Sequence, residues 1–134
     1  MSFIIIKKGT RKSPSQINIS ESAKTITFSA GFFRTYKISV IRTPYIRLAV
    51  DITSKEIAFE FAELDKKNSE YLKLTPTISK TSASCSVNSI LSTFSTDIKE
   101  ISGIYKDGAI SGPVKINGFS EHGFIIKIKN REIV

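Results

Sequence analysis

Apolar and polar side chains alternate along most of this chain. The alternation occurs in four short runs of the first half, which contain Ile17 and Ile19; Ile26 and Phe28; Ile46, Leu48 and Val50; and Ile57, Phe59 and Phe61. A period of two residues is typical of strands that bury one face, so each run is predicted to be a strand. Residues 51–56 separate the last two runs and are few enough for a hairpin loop, which predicts antiparallel pairing there.

The period changes between the second and third of these strands. Three aromatic residues there share one side of a predicted short helix: Phe32, Phe33 and Tyr36. Their spacing of one and three residues fits a buried helix side, so we interpret them as core residues and not as a platform for stacked bases. Ser29 is placed as the N-cap. Pro44 should end the segment, because Thr43 before it is pushed out of the helical region.

The second half repeats this order of elements. The corresponding positions are Ile78 and Ser79 for the first strand, Cys85 and Val87 for the second, Asn88 for the helix cap, Ile90, Leu91 and Phe94 for the helix, Val114 and Ile116 for the third strand, and Phe124, Ile126 and Ile128 for the fourth. Turn residues Asn117-Gly118 and His122-Gly123 separate the last two strands. We therefore predict two copies of one unit, at about 15–64 and 70–134.

These patterns predict a mainly β fold with two short helices, in which two similar β-β-α-β-β units form a pseudo-symmetric barrel or a pair of sheets. The 134 residues fit a single domain, 1–134, that can bury roughly two thirds of its unfolded surface. No signal peptide or membrane span is predicted, so a cytoplasmic location is expected. Apolar edge strands at Phe3 to Ile6 and Phe124 to Ile128 would allow homo-oligomers to form.

The net charge of +8 comes entirely from the first fifty residues, where nine Lys or Arg oppose one Glu. Such an asymmetry indicates a polyanionic partner, because Lys and Arg that meet phosphates release counterions and gain affinity. The candidate contact residues form an N-terminal arm and a second group around the first helix. They are Lys7, Lys8, Arg11, Lys12, Arg34, Lys37, Arg42 and Arg47.

The first unit also resembles a known family. The run from Lys24 to Ser29, the short helix, the run from Tyr45 to Val50 and the hairpin to Phe61 resemble the swapped-hairpin unit of AbrB-type regulators, and duplicated versions resemble the MraZ type. The resemblance implies DNA binding by a small barrel with a basic face. The chain departs from that family at Ser29, where proline is usual, and at Thr43-Pro44, where a Gly-Asp pair is usual.

We therefore predict a small, basic, non-enzymatic nucleic-acid-binding protein that binds DNA in preference to RNA. The leading hypothesis is binding of double-stranded DNA or transcriptional regulation. The alternative is a protein-interaction or structural subunit of a larger assembly, such as a phage or mobile-element particle. The residues leave open whether the partner is a duplex, a single strand or an acidic protein. No catalytic residue, metal or cofactor is predicted, because the chain has one histidine, His122, and one cysteine, Cys85.

Overall fold

The computed structural model describes residues 2–4, 14–63, 70–119 and 122–133. Within them lie ten strands and two α-helices, together with three single 3-10 turns. In chain order the strands and α-helices are β1 (Ile17–Ser20), β2 (Thr25–Phe28), α1 (Ala30–Thr35), β3 (Tyr45–Asp51), β4 (Glu56–Ala62), β5 (Tyr71–Lys73), β6 (Thr75–Pro76), β7 (Ala83–Ser86), α2 (Asn88–Phe94), β8 (Gly103–Tyr105), β9 (Ile110–Lys115) and β10 (His122–Lys127). The mainly β fold and the two short helices are confirmed.

The strands form two antiparallel five-stranded sheets. Sheet A has the order β6-β7-β2-β1-β8, and sheet B has the order β5-β3-β4-β10-β9. In each sheet a hairpin from the first half pairs with a hairpin from the second half, through β2 and β7 in sheet A and through β4 and β10 in sheet B. Across the described residues the sheets remain separate and do not close. Of the two predicted arrangements, the closed barrel is therefore wrong.

The core lies between the inner faces of the two sheets. Phe28 of sheet A and Phe59 of sheet B have their ring centroids 5.0 Å apart, and Phe32 of α1 packs against both rings. All three side chains are fully buried. Alternation along β1, β2 and β4 supplies the apolar faces, because every second side chain of a strand points to the same side of the sheet. The four strands predicted for the first half are thus confirmed.

The second half departs from prediction at several positions. Ile78 is fully exposed in the turn between β6 and β7 instead of lying in a strand. His122 and Gly123 belong to β10, not to a turn. Asn88 is the first residue of α2 and not its cap; Val87 occupies the cap position and makes no side-chain cap hydrogen bond. Alternation alone did not distinguish a turn from a strand here.

The sheet edges also differ from prediction. β10 lies between β4 and β9, so the run from Phe124 is in the interior of sheet B and is not an edge. At the N-terminus, Phe3 and Ile4 are exposed and belong to no strand, while Ile5 and Ile6 lie outside the described residues. The outer strand β9 contains Pro113, which has no backbone N–H to donate to another chain. The run from Phe124 is therefore not available for edge pairing between chains, and at β9 Pro113 removes one donor.

No helix in the described part of the chain is long and apolar enough to cross a membrane.

Candidate nucleic-acid interface

The segment from Arg34 to Arg42 follows the anchored helix α1. The Ser29 hydroxyl accepts a hydrogen bond from the backbone N–H of Phe32 at 3.1 Å, which confirms the predicted N-cap. Phe32 and Phe33 are buried on the inner side of α1, as predicted. Because both rings face the core, the Arg34 side chain is left exposed on the other side of the helix.

α1 ends earlier in the chain than the position of Pro44 predicted. Lys37 adopts a left-handed conformation with φ of 56°. Its N–H donates to the Arg34 carbonyl at 3.2 Å, and the N–H of Ile38 donates to the Phe33 carbonyl at 2.8 Å. This pair of bonds is the Schellman motif, in which glycine usually occupies the left-handed position. The prediction that Thr43-Pro44 ends the helical segment is wrong, because the chain has already turned at Lys37, which is exposed.

Arg42 lies in a tight turn before β3. Its N–H donates to the Ser39 hydroxyl at 3.3 Å, and the Thr43 hydroxyl donates to the Ser39 carbonyl at 2.7 Å. The Arg42 side chain is 77% exposed and lies 3.4 Å from the Glu63 carboxylate. The Glu63 side chain is itself 62% exposed. A pair this open to water contributes little to stability, so it leaves Arg42 able to meet another anion. We call the exposed side chains of Arg34, Lys37 and Arg42 the basic segment.

Arg47, by contrast, is enclosed by the fold. Its side chain is 15% exposed, and it donates to the buried Glu60 carboxylate at 2.5 Å and to Glu70 at 3.1 Å. The rings of Tyr71 and Phe119 each lie 5.1 Å from the guanidinium carbon. Burial opposes the charge of Arg47, but the hydrogen bonds to both carboxylates outweigh it and raise its pKa. Arg47 is therefore engaged within sheet B and is not part of the basic segment.

The predicted N-terminal arm of Lys7, Lys8, Arg11 and Lys12 lies outside the described residues.

A groove of about 570 Å³ opens beside the basic segment. It lies between the loop that follows α1 and residues of β4, β5, β9 and β10. Its lining residues are Tyr36, Lys37, Ile38, Ser39, Arg42, Thr43, Glu60, Phe61, Ala62, Glu63, Tyr71, Pro113, His122 and Phe124. Two predicted contact residues, Lys37 and Arg42, thus share one concave surface. Sequence reasoning did not identify this groove, because its walls come from five separate parts of the chain.

Two further residues line the groove although the sequence pattern did not indicate them as site residues. The only histidine, His122, was interpreted as a turn residue, but it lies exposed at the start of β10 and lines the groove. Tyr36 was assigned to the core; it is half-buried, packing 4.8 Å from the ring of Phe124 while it also lines the groove. In the part of the chain that the structure describes, no group of three His, Cys, Asp or Glu side chains could hold a metal ion.

Cys85 should be unreactive in the folded protein. The side chain is buried in the core, and burial raises the pKa of the thiol from 9.0 to about 12. Because the thiolate is the reactive form, a disulfide reagent at about pH 8 should label Cys85 only after unfolding in urea. The folded chain also holds this proton more tightly than the unfolded chain, so the free energy of unfolding should fall as pH rises above 9.0. Rapid labelling of Cys85 in native buffer would contradict the prediction that the folded thiol is unreactive.

Comparison with known proteins gives no relative: no protein-family model, curated protein or solved structure matches this chain.

Proposed function

We propose that this chain is a non-enzymatic nucleic-acid-binding protein that holds the backbone of double-stranded DNA with its basic segment. The observation that carries the proposal is the exposure of Arg34, Lys37 and Arg42 on one short stretch of chain. Phosphate contacts of this kind position a protein on a duplex without reading its sequence. Transcriptional regulation and a cytoplasmic location belong to the same proposal.

The backbone that presents these cations is well held. The cap at Ser29, the buried rings of α1, the Schellman motif and the turn at Ser39 each restrain part of the stretch. Side chains on a restrained backbone lose less entropy when they bind than side chains on a mobile loop. The segment therefore offers phosphates a preorganised set of donors.

The N-terminal arm remains part of the proposal as a second source of phosphate contacts. Its four cations, Lys7, Lys8, Arg11 and Lys12, precede β1 in the sequence. The described chain resumes at Pro14, whose carbonyl accepts a hydrogen bond from the Ser29 hydroxyl at 2.8 Å. This contact holds the start of the described chain against the beginning of α1.

We also propose that the scaffold arose by internal duplication. In support, Ile26 pairs with Cys85, the residue that the repeat alignment makes its counterpart. Likewise Phe124, the counterpart of Ile57, pairs with Phe59. Both ladders are thus symmetrical about their centres, as a pseudo-twofold axis would require. The resemblance to AbrB-type and MraZ-type regulators remains a separate proposal.

Neutralising the basic segment should weaken duplex binding and flatten its dependence on salt. Each phosphate contact contributes a slope of about −0.9 in a plot of log K against log salt. For the triple variant Arg34→Gln, Lys37→Gln and Arg42→Gln, we therefore expect a slope shallower by about 2 to 3. The measurement is fluorescence anisotropy with a mixed-sequence duplex over a range of salt concentrations.

A charge-matched control is available elsewhere in the chain. Lys24, Lys55 and Lys80 are exposed in hairpin turns and, like Lys37, have positive φ, with values of 54°, 56° and 57°. Changing all three to Gln removes the same net charge, but the slope should remain that of the wild type. If both triple variants bind equally, the basic segment is not the contact surface. If the wild type does not bind duplex at low salt, the proposal fails.

A second candidate function is a subunit of a larger assembly. Exposed apolar side chains favour it: Ile41 is 68% exposed, and Ile78 is fully exposed at the tip of a hairpin turn. Such side chains are common singly on surfaces, and an interface is where a larger assembly would cover them. A mass measurement in solution and recovery of a defined protein complex from the native source would favour this function. A monomer that recovers nucleic acid alone would exclude it.

A further inference from the structure

The groove beside the basic segment has the size and the lining of a ligand site. Its volume of about 570 Å³ falls within the range of about 300 to 1,000 Å³ that small-molecule sites occupy. Four aromatic side chains line it, and hydroxyl groups of Ser39 and Thr43 stand on the loop side. The aromatic residues are the half-buried Tyr36 and Tyr71, which are partly open to the groove, and the buried Phe61 and Phe124 behind them. A flat, partly polar ligand would match this combination.

The aromatic wall is held in place by packing. The Tyr36 ring lies 4.9 Å from Phe32 and 4.8 Å from Phe124, both of which are buried. The hydroxyl of Tyr71 donates to the Glu60 carboxylate at 3.3 Å, which orients its ring. Rings that are already ordered lose little entropy when a base stacks on them. One stacked base typically contributes about 1 to 3 kcal/mol to the binding free energy of a single strand, which is about five-fold or more in affinity.

The charges of the groove favour an anion at its rim. Its two carboxylates each meet an arginine: Glu63 pairs with Arg42, and Glu60 pairs with Arg47, which also meets Glu70. The two arginines offset much of the negative charge of the lining. Lys37, on the loop that leaves α1, adds a further cation to the lining. Among the described residues it has no ion-pair partner. A phosphate there would meet Lys37 and the exposed guanidinium of Arg42.

We infer that the groove holds one nucleotide with an unpaired base, the base against the aromatic wall and the phosphate at Lys37 and Arg42. Where that nucleotide belongs to a nucleic acid, the inference rests on the proposed function. Bases inside a duplex are stacked and paired, so only an unpaired base can enter. The protein should then prefer DNA with a single-stranded end over a fully paired duplex. A free mononucleotide offers the same chemistry and is tested separately.

The test compares four probes by anisotropy or competition with the full-length protein. They are a blunt mixed-sequence duplex, the same duplex with a short 3′ overhang, the same overhang built from abasic nucleotides, and free deoxyadenosine monophosphate. The overhang should improve affinity by about five-fold or more over the blunt duplex. The abasic overhang carries the same phosphates without bases, so it should lose most of that gain.

A matched pair of variants locates the effect. Ser39→Glu places a carboxylate in the groove, whereas Ser79→Glu places one in the exposed turn between β6 and β7. Both lower the net charge equally. The ratio of overhang affinity to blunt-duplex affinity should fall close to one for Ser39→Glu and stay at the wild-type value for Ser79→Glu. If the two variants keep the same ratio, the groove is not the site.

Each outcome separates this inference from the proposed function. Blunt duplex that binds with no gain from the overhang, and no binding of the mononucleotide, would overturn the groove site and leave the proposed function standing. Mononucleotide binding that Ser39→Glu abolishes, without any duplex binding, would support the groove site with a free nucleotide as its ligand and overturn the proposed function. No binding of any probe would overturn both.

Discussion

The substitution Phe32→Ala is expected to lower the free energy of unfolding by about 3 to 5 kcal/mol. Domains of this kind are typically stable by about 5 to 15 kcal/mol, so this single change removes a large part of the total. The expected result is a marked fall in the urea midpoint. Partial unfolding at room temperature is expected if the wild type lies near the lower end of that range.

The size of this effect follows from the position of Phe32. The side chain is fully buried between the sheets, and its ring lies 5.3 Å from Phe124 and 6.1 Å from Phe59 of sheet B, and 5.7 Å from Phe28 of sheet A. Removing it leaves a cavity that neighbours from two sheets and one helix would have to fill together. Aromatic side chains held on three separate elements cannot collapse far into such a space.

The control for this prediction is Phe3→Ala. Phe3 is 88% exposed, so the same chemical change should alter the free energy of unfolding by no more than about 0.5 kcal/mol. Urea unfolding of both variants, followed by circular dichroism, provides the comparison. Equal losses for the two variants, or a loss under about 1 kcal/mol for Phe32→Ala, would show that Phe32 is not a central part of the core.

The second large effect is expected from Arg47→Met, which should cost about 3 to 5 kcal/mol. Glu60 is 1% exposed and faces the Arg47 guanidinium directly across β3 and β4. Methionine keeps much of the side-chain volume but removes the cation. A buried carboxylate then loses its compensating charge, and that desolvation penalty dominates the loss.

Two further variants separate this explanation from a general loss of packing. Arg42→Met removes an arginine whose pair with Glu63 is open to water, so it should cost about 1 kcal/mol or less. Adding Glu60→Leu to Arg47→Met removes the isolated carboxylate and should restore much of the stability. If the double variant is no more stable than Arg47→Met, the loss comes from packing around Tyr71 and Phe119 and not from the buried charge.

The same substitution bears on the binding proposal. Arg47 was predicted as a nucleic-acid contact on charge alone, yet in the fold its guanidinium is held by two carboxylates and two rings. Charge in the sequence does not reveal whether a cation meets solvent or a buried anion. The partner Glu60 is 13 residues away along the chain and comes opposite Arg47 only when β3 and β4 pair.

The local pattern was most informative in the first half of the chain. A strict two-residue period predicted β1 to β4, and the shift to helical spacing predicted α1 with Ser29 as its cap. Both signals depend on residues close in sequence, whose relative directions follow from backbone geometry. The pattern was less informative at Ile78 and His122. An isolated apolar residue such as Ile78, or a His-Gly pair such as His122-Gly123, fits a strand and a turn equally well.

The sequence alone determined the mainly β class, the two short helices, the hairpin of β3 and β4 and the concentration of positive charge upstream of residue 51. The tertiary structure decided that the sheets stay open, that β10 is interior, and that Arg47 turns inward while Lys37 and Arg42 border a groove. The physical reason is distance along the chain. Alternation records only which side of a strand a residue occupies, whereas burial, ion pairing and concave surfaces depend on which distant segments pack together.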